Sequence, residues 1–233
     1  MLFVLPMALI FSPQADAALV QHLDATVNGS ALTDGSGVVS AWTDQSGSGY
    51  SALANRGTVI FPSTSVFESG LAGLDFGSAR NDLELMDGTQ TSGFLDFAGA
   101  ASGKEGFSVL VAFKVEEMPG EVQHIIGTKH TLGTLCIKVL ADGSIQAQLD
   151  NNLSHAGSGK VTAGDTVVVG LTYESSTGKY QLWESINDEI ATGTQSVGGN
   201  YGDGYPLVLG EAVTLASSTQ YLRGMVGEVR FYD

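Results

Sequence analysis

Carboxylates at loop and strand-end positions are the first residues in this chain with types suited to chemistry. Asp24, Asp34, Asp44, Asp75, Asp82 and Asp233 sit at expected strand ends or in loops, several of them close to glycines and serines. Such segments offer the mixed carboxylate and carbonyl oxygens that Ca²⁺ collects, six to eight at a time, in flexible geometry. Asp24 and Asp233 form the better pair for a structural Ca²⁺. No EF-hand loop occurs, because the run starting at Asp44 (DQSGSG) lacks the closing bidentate acid. The competing reading is turn formation, since Asp before Gly is ordinary turn chemistry. The histidines His22, His124, His130 and His155 show no zinc spacing.

A second set has the chemistry of sugar recognition, which pairs an aromatic platform with polar side chains that bond hydroxyls. Tyr201, Asp203 and Tyr205 place two rings and one acceptor on a glycine-rich stretch, GGNYGDGY. Asp150, Asn151 and Asn152, with His155 close behind, make a polar cluster after a strand-like segment. A tyrosine ring packed over a sheet edge would look the same in sequence. Trp42 and Trp183 alternate with apolar positions and read as packing residues.

These groups need a scaffold, and the pattern around them is that of strands. In Thr166–Ser185, Val167, Val169, Leu171 and Tyr173 fall on one face of an extended segment, and Lys179–Ser185 alternates again on the return. A hairpin this apolar on one side requires a larger sheet packed on a second layer. The segments Ala18–Asp24, Val38–Trp42, Gly106–Val115 and Cys136–Leu149 repeat the alternation, the last folded about Asp142-Gly143 as an expected type I′ turn. Asn28–Gly37 (NGSALTDGSG) reads as turn material, and Ser92–Ala101 is the one candidate for a helical turn. The chain has 31 Gly, 5 Pro and only 15% charged residues, which suits many short strands and tight turns. Its 233 residues suffice for one sizeable core. The formal charge of −15 argues against a nucleic-acid partner and an anionic membrane surface, because no basic stripe exists to displace counterions. Cys136 is the single cysteine and reads as a buried structural thiol. Residues 1–17 open with an apolar run too short to span a bilayer, break at Ser12-Pro13 and end Ala15-Asp16-Ala17, a small-x-small cleavage pattern. The favoured reading is a cleaved secretory signal with Ala18 as the mature start, and, since the usual Lys/Arg-bearing start is missing, a first strand is the alternative. The expectation is a secreted or cell-surface protein with no membrane insertion of the mature chain.

Several segments together resemble bacterial laminin-G-like domains of the concanavalin-A-like lectin/glucanase superfamily. They are LDA at Leu23–Ala25, DGSGVVSAW at Asp34–Trp42, LAGLDF at Leu71–Phe76, GFSVLVAFKV at Gly106–Val115, the hairpin Thr166–Ser185, Leu207–Gly210 and YLRGMVGEVRFYD at Tyr221–Asp233. Each is weak alone, but their order is that of the family across nearly all of Leu19–Asp233. The resemblance implies an all-β, two-sheet antiparallel jelly-roll sandwich forming one domain over residues 18–233. It also implies that a structural Ca²⁺ is common among relatives.

Two enzyme classes share such folds. Laminarinase-type hydrolases need two carboxylates on one strand face, delivered by an E-x-D-x-x-E motif that is missing here. The nearest acidic cluster, Glu184–Glu189, has the wrong spacing and falls in an expected loop. Jelly-roll lyases acting on uronate polymers use an Arg, a Q-x-H pair and a late Tyr. Arg80, Gln123-His124 and Tyr221 occur in that order, yet adjacent Gln123 and His124 must face opposite ways on a strand, and Arg80 precedes its strand. No catalytic residue is assigned. The expected function is a non-enzymatic recognition or adhesion module, with an extracellular glycan or cell-surface protein as partner. A lyase and a purely structural surface domain are the alternatives.

Overall fold

In the stretch Thr166–Glu174, Val167, Val169, Leu171 and Tyr173 are buried, while Thr166, Val168, Thr172 and Glu174 reach solvent. Its period-two pattern is thus realised as a strand with one apolar face. The structure, a computed structural model, describes residues 18–62, 67, 71–85, 106–118, 120–128, 135–149, 154–156, 160–174, 176–194, 207–211 and 220–232. Among these residues there are strands and no helix. In chain order the strands are β1 (Leu19–Asp24), β2 (Ala31–Thr33), β3 (Val39–Trp42), β4 (Ala52–Arg56), β5 (Leu74–Gly77), β6 (Asp82–Leu85), β7 (Gly106–Val115), β8 (Gln123–Thr128), β9 (Leu135–Val139), β10 (Ile145–Leu149), β11 (Ser154–Ala156), β12 (Thr166–Glu174), β13 (Lys179–Glu184), β14 (Glu189–Thr194), β15 (Leu207–Leu209) and β16 (Gly224–Tyr232).

They form two antiparallel sheets. The seven-stranded sheet runs β1-β16-β7-β12-β13-β14, with β5 also paired to β16. The nine-stranded sheet runs β11-β10-β9-β8-β15-β6-β4-β3-β2. Between them lies the core. Leu23, Val109, Val111, Phe113, Val169 and Phe231 come from one sheet, and Leu83, Leu85, Ile126, Ile137, Leu207 and Leu209 from the other. Burying each such side chain contributes about 1.5–3 kcal/mol before chain entropy is counted. The expected two-sheet sandwich is therefore the fold. No described helix is long and apolar enough to cross a membrane.

Local expectations differ at three points. β2 lies inside a stretch that reads as pure turn, Asn28–Gly37, because its exposed Leu32 and Thr33 carry no buried alternation. The Asp142-Gly143 connection is not type I′, which needs positive φ at both central residues. Gly143 alone has it (φ 85°), and its N–H donates to the Leu140 carbonyl over 2.8 Å, so Ala141–Gly143 form a three-residue loop with glycine at the left-handed position. Trp183 is not in the core: Leu182 and Glu184 turn inward and are buried, and Trp183 is half-buried on the opposite face. Trp42 and Cys136 are buried as expected. The Ser92–Ala101 turn and residues 1–17 lie outside the described residues.

Candidate functional site

Strand register brings several chain segments to one end of the nine-stranded sheet. Leu207 at the start of β15 pairs with Leu85 at the end of β6 and Thr128 at the end of β8. Leu135 at the start of β9 pairs with Leu149 at the end of β10, and Ser154 at the start of β11 pairs with Gln148. Asp150, Asn151 and Asn152 follow Leu149 directly, and Tyr205 lies two residues before Leu207. These candidates, with Tyr201 and Asp203, lie outside the described residues. Their attachment points share an end. Strands β10 and β15 are three ladder steps apart, about 14 Å at ordinary strand spacing.

At the other end of the same strands, side chains 155 residues apart in sequence form an ionic cluster. Glu211 is 2% exposed. Its Oε1 accepts from Arg80 Nε at 2.6 Å, and its Oε2 lies 3.2 Å from Arg56 Nη1. The bend that delivers it depends on Gly210, at φ 85°, where a Cβ would meet the Phe76 ring at 2.3 Å. Gly210 donates to the Ile125 carbonyl and accepts from Leu222 N–H, which clips this segment to both β8 and the approach to β16. Burial and the neighbouring Glu211 raise the Asp82 carboxyl to about 6, although Asn55 Nδ2 donates to it at 2.6 Å. His124 is driven down to about 4, first by burial and then by the Lys138 charge. Its Nδ1 sits 3.4 Å from Cys136 Sγ, a thiol pushed up to about 12 by burial and hence an inert one. Tyr221 is bridged by backbone to His124 and Glu211, its hydroxyl donating to the Ser78 carbonyl at 3.0 Å.

Sequence reasoning had no route to Glu211, Arg56 or Asp82 as partners, because nothing in their spacing announces contact. It did anticipate the geometry of the lyase-like residues. Gln123 pairs with Val139 on the core side, and its side chain holds the Glu117 carbonyl and the Arg223 N–H. His124 pairs with Lys138 and faces the other way. Arg80 precedes β6 and is neutralised by Glu211. The arrangement holds paired charges together; it does not present a free cation beside a free base.

The candidate carboxylates divide by role. Asp34 and Asp44 are held below the usual range. For Asp34 the Ser36 hydroxyl and N–H and the Val38 N–H are responsible. For Asp44 burial works upward, but N–H donors from His22, Ser46 and Gly49 outweigh it. Asp75 accepts the Gly77 N–H at 2.6 Å. Apart from the His22 N–H bond to Asp44, which ties that loop to β1 across 22 residues, these are turn-forming bonds. Asp24 also caps a turn, its Oδ1 accepting from Thr26 N and Oγ1, while its Oδ2 lies 3.9 Å from His22 Nε2. That same Nε2 is 2.9 Å from Glu228 Oε1. Among the described residues, His22, Asp24 and Glu228 are the one group of three or more His, Cys, Asp or Glu side chains with ligand atoms within 4.8 Å of one another. Asp233 lies outside the described residues, and Leu19, not Asp24, pairs with Tyr232.

No family model matches the chain, and no curated protein matches it in sequence. Solved structures do match in fold. A sialidase of Trypanosoma rangeli, in complex with 2,3-difluorosialic acid, is 14% identical with a TM-score of 0.60, covering 92% of this chain and 30% of its own. Domain 4 of AbnA, a GH43 extracellular arabinanase from Geobacillus stearothermophilus in complex with arabinotriose, is 16% identical with a TM-score of 0.59, covering 94% of each chain. The binding domain of botulinum neurotoxin DC, in complex with rat synaptotagmin II, is 11% identical with a TM-score of 0.59, covering 92% of this chain and 48% of its own. The chain thus spans about 30% of the sialidase's length. At these identities the likeness establishes a shared β-sandwich fold.

Proposed function

We propose that this chain is an extracellular carbohydrate-recognition module of laminin-G-like type, which holds its ligand and does not transform it. The observation that carries the reading is the register at one end of the nine-stranded sheet. There Leu149 and Leu207 anchor the segments bearing Asp150–Asn152 and Tyr201–Tyr205 three strands apart. A site assembled between them takes a sugar ring on Tyr201 or Tyr205 and binds its hydroxyls with Asp203, Asp150, Asn151 and Asn152. The likeness in fold to an arabinotriose-bound domain over 94% of both chains is in keeping with a glycan ligand, and the likeness to a synaptotagmin-bound domain keeps a cell-surface protein as the alternative partner. The reading includes secretion after removal of residues 1–17.

The test is binding of the full chain to a glycan array and to immobilised polysaccharides, with Tyr201→Ala and Tyr205→Ala beside the parent. Binding that weakens in these variants supports the reading. Binding unchanged in both, or no glycan binding by the parent, overturns it in favour of a structural domain.

A second reading, a lyase on uronate polymers, has one observation in its favour: Arg80, His124 and Tyr221 do gather around Glu211. Against it, Arg80 is neutralised and His124 is only 6% exposed. Release of unsaturated uronate by the parent, abolished in His124→Ala, would install it.

A further inference from the structure

We propose that His22, Asp24 and Glu228 form a binding site for a divalent transition-metal ion of the Zn²⁺ class, on the outer face of the seven-stranded sheet where β1 meets β16. This does not rest on the carbohydrate reading. The strand period places His22 and Asp24 side by side on one face, and register sets Glu228 directly opposite Asp24. Two carboxylates facing each other across a ladder repel. The Arg230 guanidinium, ion-paired with Glu228 Oε1, offsets part of that cost, and a dication between the carboxylates offsets the rest.

The distances fit. Bonds of about 2.0–2.1 Å in tetrahedral geometry set ligand atoms about 3.3 Å apart. The observed separations from His22 Nε2, 2.9 Å to Glu228 and 3.9 Å to Asp24, bracket that value. With all three ligand atoms within 4.8 Å of one another, closing on an ion takes side-chain shifts of at most about 1.5 Å. Each ligand is already oriented. The His22 N–H donates to Asp44 Oδ1 at 2.8 Å, which fixes the backbone beneath the ring. Thr26 occupies Asp24 Oδ1 and leaves Oδ2 turned toward the imidazole. Arg230 Nε donates to Glu228 Oε1 at 2.7 Å, an outer partner that holds that carboxylate in place.

The donor set chooses the ion. One imidazole nitrogen with two carboxylate oxygens suits Zn²⁺ and Co²⁺, whereas Ca²⁺ asks for six to eight oxygens. Side-chain exposures of 19%, 18% and 25% leave a fourth position open to water. His22 binds through Nε2, which requires the tautomer with its proton on Nδ1.

The test titrates metal-free protein with Co²⁺, followed by its visible d–d absorption, then competes with Zn²⁺ and separately with Ca²⁺. Melting curves of each variant verify folding. One equivalent of Co²⁺ should bind and be displaced by Zn²⁺, with at least tenfold weaker binding in His22→Gln, since even outer-shell losses cost 10–100-fold. Asp24→Asn, which keeps the side-chain shape, carries the test if His22→Gln does not fold. The proposal is overturned if the parent takes up neither Co²⁺ nor Zn²⁺. It is equally overturned if the folded variants bind Co²⁺ as tightly as the parent, or if Ca²⁺ binds and Zn²⁺ does not compete.

Discussion

The Trp183 indole N–H donates to Asp188 Oδ1 over 2.9 Å, and Asp188 is the one non-glycine residue at positive φ (53°) among those described. The two facts belong together: the left-handed conformation aims the carboxylate back at the ring on the outer sheet face. Left-handed backbone costs an ordinary L-residue about 1–2 kcal/mol, less for Asp. A further 1 kcal/mol or so attaches to the bond. Asp188→Ala should therefore lower unfolding free energy by about 2 kcal/mol, while Asp188→Asn stays near the parent. Equal denaturant midpoints for parent and Asp188→Ala would refute this.

Asp82 and His124 should oppose each other as pH changes. The folded Asp82 value of about 6 exceeds the unfolded 3.8, so its stabilising contribution is full below 3.8 and is lost as pH rises through 6. The folded His124 value of about 4 lies below the unfolded 6.5, so its contribution is full above 6.5 and is lost as pH falls through 4. Each is worth roughly 3 kcal/mol, and between about pH 4 and 6, where the two windows overlap, their slopes cancel. Relative to the parent, Asp82→Asn should lose stability on acidification across that window, and His124→Gln should gain it. Parallel stability curves for the two variants would sink the idea.

Glu211 neutralises two arginines from a site that is itself buried. Glu211→Ala should cost about 3 kcal/mol, the low end for breaking a buried pair, because both arginines retain some access to water. Arg56, whose side chain is 43% exposed, should cost under about 1 kcal/mol when replaced by Ala. Chemical denaturation of the two variants gives the comparison, and equal losses would show that the cluster is not centred on Glu211.

Losing one stacking ring from a weak site should cost on the order of 1 kcal/mol, or several-fold in affinity. Tyr201→Ala, Asp203→Ala and Tyr205→Ala should each blunt glycan pull-down while leaving the melting temperature unchanged. A variant that loses binding only because it has lost its fold would show up in the melt.

Much of the architecture was legible because one-sided strands announce themselves. Val167, Val169, Leu171 and Tyr173 alternate without interruption, and each is buried where the period puts it. Legibility failed where that signal is missing. β2 buries only Ala31, and that only in part, so its residues resemble a turn. Trp183 sits at an alternate position and was misread, because hydrophobic type does not reveal which side of a sheet a ring occupies. The chemistry was harder still. Glu211 meets Arg56 only through the pairing of distant strands, and Asp24 meets Glu228 only through register, neither of which any local spacing encodes. The tyrosine and asparagine candidates were chosen by residue type, and strand register adds only the points at which their segments attach.

The place of β16 has a kinetic consequence. It lies between β1 and β7 in the seven-stranded sheet, and its Glu228 meets a residue 206 positions earlier. A ribosome therefore exposes β1, β7 and β12 long before the strand that joins β1 to the rest exists. Until it arrives, β1 has no partner and one edge of β7 stays open, a template for pairing with other chains. Contacts this distant in sequence also slow the final closure, since the loop entropy is surrendered before the ladder forms. Protection of the nascent β7 edge, by a chaperone or by rapid emergence of β16, should therefore raise the yield of this sandwich.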